Sequence, residues 1–393
     1  ITDTSSLELD GSRSITTVVI DGSTYALVAA FDDDGVQIID ITDPSNPTPT
    51  ASITDSRSLA LDGASSITTE EIGGRTYALV AAYVDNGVQI IDITDPTNPS
   101  PTASIIDTSS LVLAGAWSIT TVASGTSTYA LVTSSYDNGV QIIDITDPTT
   151  PIATASITDS ISRELNGASG ITTVVIGTST YALVTGNDDD GIQIIDITDP
   201  TTPTATANLT DSSSLTLDNA IGITTVVIGE QTYALVTAQW DDGVQIIDIT
   251  DPSNPAPTAS ITDTNRLALD YPTAVVTVVM GTTTYALVTA VADNGFQIID
   301  ISSPASPTGT AYITDTASLA LNGARDITTV VINGKNYVLV AANGDDGVQI
   351  MEFGSDIQPP VFTLEGGSSI SLEAGYTFDP LLGISAHDIV DGD

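Results

Sequence analysis

The sequence predicts an all-β fold, a seven-bladed β-propeller of four-stranded blades, on three observations. The stretch Thr24–Pro44, TYALVAAFDDDGVQIIDITDP, sets two apolar runs on either side of an acidic turn ending in Asp-Gly, the strongest short-range hairpin signal a sequence carries. The unit recurs at a fixed period: Tyr25, Tyr77, Tyr129, Tyr181, Tyr233, Tyr285 and Tyr337 are each 52 residues apart. The end copies are no more polar than the inner ones, whereas a solenoid needs polar caps, so the copies are expected to close into a ring.

Within one period the first strand is read as Ile15–Ile20, the second as Tyr25–Ala30, the third as Val36–Ile41 and the fourth as about Pro49–Ile53. Thr, Val, Ile and Tyr dominate these segments, as β-structure requires. The second and third are apolar on both faces, which suits strands sandwiched between neighbouring sheets. Asp21-Gly22-Ser23 reads as a tight turn, and the Pro-rich Thr42–Pro47 excludes both helix and inner strand. The longer link from fourth to first strand carries a leucine in every copy (Leu9, Leu61, Leu113, Leu165, Leu217, Leu269, Leu321), read as a plug that tucks the loop onto the core. The turn residues Asp-Asp-Gly and Asp-Asn-Gly are expected to form a type I′ turn with two positive φ angles. Gln37 and its six equivalents are expected to satisfy backbone groups between blades.

Ile1-Thr2-Asp3 matches Ile53-Thr54-Asp55, so the chain opens inside a fourth strand, the mark of a processed or partial chain. The seventh unit ends at Phe353 after three strands. Its outer strand is therefore expected from the N-terminus, from Val361–Leu364, or from both. The predicted organisation is a propeller over 1–353, a linker over 354–360 and a β extension over 361–393.

Fifty Asp and Glu against seven Lys and Arg leave a net charge of −43. Such a surface repels nucleic-acid phosphate and anionic lipid, attracts cations, and favours salty or calcium-bearing surroundings. With no cysteine there is no thiol chemistry, and no run of about 18 apolar residues is present to span a membrane as a helix. The chain also shows no basic-then-apolar leader.

Repeats of the form YALVA…DDGVQIIDITDPSNP resemble LVIVD-type propeller repeats, and they also resemble the long repeats of hyalin-like surface proteins of marine archaea and bacteria. The resemblance covers residues 1–353. It implies an extracellular or cell-surface propeller without assigned catalytic residues. Residues 361–393 resemble the opening half of a bacterial Ig-like repeat at Val361, Leu364, Gly375, Tyr376, Asp379, Pro380 and Asp391-Gly392-Asp393, with Leu381 departing from the usual Pro-Gly. Half a sandwich cannot bury its own core, so these strands are expected to continue further or to complete something else.

Catalysis finds few groups to use. His387 lies in the tail, Lys335 is the sole lysine, and the carboxylates repeat alike in every copy, whereas an active site breaks symmetry. The first turn aspartates, Asp33, Asp85, Asp137, Asp189, Asp241, Asp293 and Asp345, are explained by turn chemistry. They are also the candidate ligands for calcium, because Asp3, Asp55, Asp107, Asp159, Asp211, Asp263 and Asp315 should lie on the same face. No copy has the spacing of a dedicated calcium loop. Asn208-Leu209-Thr210 is a candidate glycosylation site. The copies differ in two slots: the two residues just before the turn aspartate, and the residue two before the first strand. These slots hold Phe31, Tyr83, Tyr136 and Trp240, and Arg13, Trp117 and Arg325. Trp, Tyr and Arg are the residues that binding hot spots use.

The expected function is that of a non-catalytic extracellular or cell-surface protein, a rigid acidic propeller for self-assembly into a layer or filament, or for adhesion. Its partners would be further copies of itself, other surface proteins or glycans, with no nucleic acid and no membrane insertion. The alternative is a monomeric ligand- or glycan-binding module, and a carboxylate-based hydrolase ranks behind both.

Overall fold

The computed structural model describes residues 1–354 apart from Ser5, Arg57 and Asn265, together with the strands Val361–Leu364 and Ile384–His387. The first blade is an antiparallel meander of β1 (Ser12–Ile20), β2 (Ser23–Ala30), β3 (Gly35–Asp40) and β4 (Thr48–Thr54), paired in that order. Five further blades repeat it at 64–106, 116–158, 168–210, 220–262 and 272–314, and a seventh begins at Ala324. The first strand of each blade packs against the first strands of both neighbours, which places these strands around the central axis. No helix occurs among the described residues.

The core lies between blades rather than within them. Leu27 and Ala29 of β2 face the second blade, where they pack with Leu61, Ile67, Val80 and Ile91. Ala26 and Val28 face the seventh blade and pack with Leu339, Ala341 and Val348. Both faces of every central strand therefore carry apolar side chains. All seven plug leucines are fully buried, as the sequence predicts.

The seventh blade has three strands of its own, Ala324–Ile332, Lys335–Ala342 and Gly347–Phe353. The N-terminus supplies the outer pairing. Thr2 bridges Gly347, Ile1 and Val348 exchange two backbone hydrogen bonds of 2.8 Å, and Asp3 N–H donates to Asp346 O. Val361–Leu364 pairs with Ile384–His387 instead, so of the expected sources for this strand the N-terminus is the one observed. The Ig-like assignment of 361–393 otherwise falls outside the described residues. Residues 354–393 form a unit separate from 1–353.

Three local expectations need correction. The turn between β2 and β3 is a four-residue loop, Phe31–Asp34, in which only the last residue has positive φ (53° at Asp34, and 49° to 56° at its equivalents). The following glycine is required by space rather than by φ: a Cβ on Gly35 would lie 2.8 Å from Ile53 O, and one on Gly87 2.6 Å from Ile105 O. Gln37 works within its blade. Its Nε2 donates to Ile38 O and Ala51 O across a bulge, and its Oε1 accepts from Glu8 N–H of the incoming loop. The first strand starts at Ser12, three residues before its predicted start. It contains a bulge in which Ser12 and Ser14 pair with Ala30 and Ala29 and leave Arg13 over.

Candidate functional site: the mouth of the central channel

That bulge sets the site. The slot placed by sequence two residues before the first strand is the bulged residue of the innermost strand, so Arg13, Ser65, Trp117, Ser169, Ile221, Thr273 and Arg325 stand around the axis at one end of the channel. The cavity there measures 190 Å³, and all seven blades line it, with Arg13, Trp117, Ile221, Thr273, Arg325 and Asp326 among its walls.

The bulge exposes backbone groups, and the chain satisfies them in two ways. In blades three to six a threonine of the second strand (Thr133, Thr185, Thr237, Thr289) accepts the N–H of Ser118, Gly170, Gly222 or Ala274 at 2.8–3.0 Å. Its hydroxyl donates to the backbone carbonyl of Ser169, Ile221, Thr273 or Arg325 in the next blade. Blades one, two and seven have alanine there (Ala29, Ala81, Ala341), and the residue after the slot takes over. Ser14 accepts from Ile67 N–H, Ser66 from Ile119 N–H and Asp326 from Ile15 N–H. Asp326 also accepts from Ile327 N–H at 2.8 Å; burial raises its pKa and these hydrogen bonds oppose the rise. This exchange was legible as Ala-with-Ser or Asp against Thr-with-Ser, Gly or Ala, but only once strand register was known.

Five of the seven variable residues converge. The Arg13 guanidinium carbon lies 4.2 Å from the Trp117 ring centroid and 4.6 Å from that of Phe31. Tyr83 packs against Phe31 at 6.1 Å, Trp117 at 5.5 Å and Tyr136 at 5.3 Å, and its hydroxyl donates to that of Tyr136. Burial and then this neighbour raise the Tyr83 pKa. The cluster spans blades one to three. Arg325 of blade seven adjoins it across the seam, close enough for the two arginines to repel: burial first, then Arg325, push the Arg13 pKa down to about 10. Burial lowers that of Arg325 as well, against Tyr271 and then Asp32, which faces both arginines. Tyr136 and Trp240 are exposed, whereas Arg13, Phe31, Tyr83, Trp117 and Arg325 are half-buried. Trp240 stands alone on blade five, with no aromatic partner among the described residues.

The turn aspartates act as staples. The Oδ2 atoms of Asp33, Asp85, Asp137, Asp189, Asp241, Asp293 and Asp345 accept the N–H of residues 10, 62, 114, 166, 218, 270 and 322 at 2.8–3.0 Å. The next residue, Asp34 or its equivalent, reaches the following blade, as in Gly63 N–H to Asp34 Oδ1 at 2.8 Å. The second acidic row does share this face: Asp55 lies beside Asp85, and Asp211 beside Asp241. At four junctions a further aspartate (Asp10, Asp62, Asp218, Asp270) joins them, and burial followed by its carboxylate neighbours raises its pKa. Among the described residues, no three or more such side chains are arranged to hold one metal ion. Asn208 lies in the outer strand of blade four, and its amide donates to Ser162 O and Glu164 Oε1.

A family model described as the LVIVD repeat matches six segments, 14–55, 76–108, 128–159, 179–211, 226–263 and 283–315, just over half of the chain. No curated protein matches it. Among solved structures, the fold is similar to that of the hydrazine synthase of Kuenenia stuttgartiensis, with 15% identity, TM-score 0.61, and 91% of this chain and 99% of that one covered. It is also similar to BBS1N, solved in complex with ARL6DN, with 11% identity, TM-score 0.60 and coverages of 91% and 97%. A protein of unknown function from Desulfotomaculum acetoxidans aligns with 15% identity, TM-score 0.56 and coverages of 82% and 92%. At these identities the likenesses speak for the fold alone.

Proposed function

We propose that this chain, which belongs to the LVIVD repeat family, is a non-catalytic binding propeller of the cell exterior whose channel-mouth face engages a ligand or partner. The observation that carries this reading is the convergence of Arg13, Phe31, Tyr83, Trp117 and Tyr136, drawn from positions where the copies differ. Blades that share their strand sequences closely depart from one another here, and with aromatic and arginine side chains suited to binding. The reading against catalysis rests on the residues: the turn carboxylates are spent on backbone N–H groups, and Lys335 is paired with Glu352 at 2.8 Å. The strong acidity supports an exterior rich in salt, where calcium would act by screening the acidic rim.

Self-assembly of the discs is a second reading, favoured by a different observation. At the other end of the first strands, Val19, Val175, Val227, Val279 and Val331 are each more than 60% exposed. A screen of glycans and surface proteins against wild type and Tyr83→Ala, with particle size followed by light scattering in calcium and in chelator, tests both. The binding reading expects a monomer in both media and a loss of at least tenfold in Tyr83→Ala, the scale of a hot-spot truncation. Particles that grow in calcium and dissolve in chelator, with equal binding by the variant, would transfer the function to assembly.

A further inference from the structure

We infer that the channel mouth is a carboxylate-binding site that takes the acid group of a small organic monocarboxylate, held by Arg13 and Arg325. The inference rests on the binding reading above and adds the chemistry of the ligand.

Two guanidinium groups are brought together at a concave mouth, although the chain has only seven Lys and Arg in all. Among the other cations, Arg75 pairs with Asp92 at 2.8 Å, Lys335 pairs with Glu352 at 2.8 Å, and Arg163 donates to Thr158 O. Neither Arg13 nor Arg325 makes an ion pair within 4 Å among the described residues, and neither guanidinium donates a hydrogen bond to them. Arg13 is held over the rings of Phe31 and Trp117, contacts that use none of its N–H donors. A planar fork with no internal acceptor matches a carboxylate, which it binds through two parallel hydrogen bonds.

The surroundings exclude a rival from the protein itself. The bulge slots around the axis carry no acid. Asp326 stands one residue further on, with its carboxylate spent on Ile15 and Ile327 N–H. Asp32 faces both arginines without pairing to either, so neither guanidinium has a carboxylate partner among the described residues. The net charge of −43 argues against a polyanion, whose further charges would lie over the acidic rim, and for a ligand with a single negative group. Screening over about 8 Å at physiological salt confines that repulsion to the rim. The size fits too: a 190 Å³ cavity gives room for an acid group and a small organic fragment.

The test is calorimetric titration of the full chain with benzoate and with glucuronate, the neutral partners being benzamide and glucose, in wild type, Arg325→Gln and Arg13→Lys. The expected result is saturable one-to-one binding of at least one acid, at least tenfold tighter than its neutral partner. Arg325→Gln should weaken it about tenfold or more, and Arg13→Lys, which keeps the charge but loses the fork, should fall between. Preference for benzoate would mark an aromatic acid as the ligand, and preference for glucuronate a sugar acid. Neutral partners that bind as tightly as the acids, or an unchanged Arg325→Gln, would overturn carboxylate recognition. No binding from either pair would overturn it too, while loss of partner capture in Tyr83→Ala would still uphold the binding face, so the two ideas fail separately.

Discussion

Asp62, whose N–H is accepted by Asp85, and Asp137, which accepts the N–H of Ala114, belong to staples at successive junctions and respond to substitution in opposite senses. Asp137 accepts the N–H of Ala114, and its junction carries Asn86 and Ala114 where others carry acids. Asp137→Ala therefore removes a hydrogen bond and relieves little repulsion, and should lower stability by about 1 kcal/mol in denaturant unfolding. Asp62 sits among Asp34, Asp85 and Asp55. Asp62→Asn installs the residue that blades four and seven already use, Asn166 and Asn322, and should raise the melting temperature, most at low salt. A fall in melting temperature at low salt would refute the like-charge account. The turn aspartates were visible in the sequence as turn residues. Their second role was not, because the N–H each accepts lies 23 residues upstream, at a distance no local pattern reports.

The elements themselves were largely legible. Every strand of the first blade was placed within about three residues, because apolar two-sided strands punctuated by Gly and Pro leave little freedom. What sequence pattern missed is the bulge at residues 12–14, which depends on hydrogen bonds to the neighbouring blades. It has a testable signature. Blades three to six close it with a threonine and blades one, two and seven with Ser or Asp. Asp326→Ala should thus destabilise the seam between the seventh and first blades, and adding Ala341→Thr, which copies the Ala274 and Thr289 pair of blade six, should restore part of the loss. A double-mutant cycle should show coupling of roughly 0.5–1 kcal/mol or more in the favourable direction, and strict additivity would contradict the assignment. Gly87→Ala, whose Cβ would crowd Ile105 O, should cost roughly 1–3 kcal/mol by unfolding, although that glycine needs no special φ.

At the scale of the whole molecule, charge governs the response to pH. Asp10, Asp62, Asp218 and Asp270 have raised pKa values, from burial first and neighbouring carboxylates second. A carboxyl that holds its proton more tightly when folded destabilises the fold at high pH, and that penalty is relieved as pH falls through the raised value toward the ordinary one of about 4. Below that, the exposed Asp95, Asp147 and Asp199, whose pKa values are lowered by threonine hydrogen bonds, lose the stability they contribute. The melting temperature should therefore rise from pH 7.5 to about 5 at low salt, and the rise should shrink in 1 M salt; a steady fall from neutrality would contradict this. The seven-fold ring was legible from the 52-residue period alone. Which variable slots meet was not, because Arg13 and Trp117 touch only through the bulge and the axis, and Trp240, equally aromatic in the sequence, stands apart.

The central claim, that recognition occurs at the channel mouth, is tested most directly by the fluorescence of Trp117 in a Trp240→Phe protein titrated with whichever ligand the wild type binds. The account predicts a saturable change in Trp117 emission with the same midpoint as binding. A ligand that binds without altering Trp117, while changing Trp240 emission in a Trp117→Phe protein, would place recognition on another part of the disc.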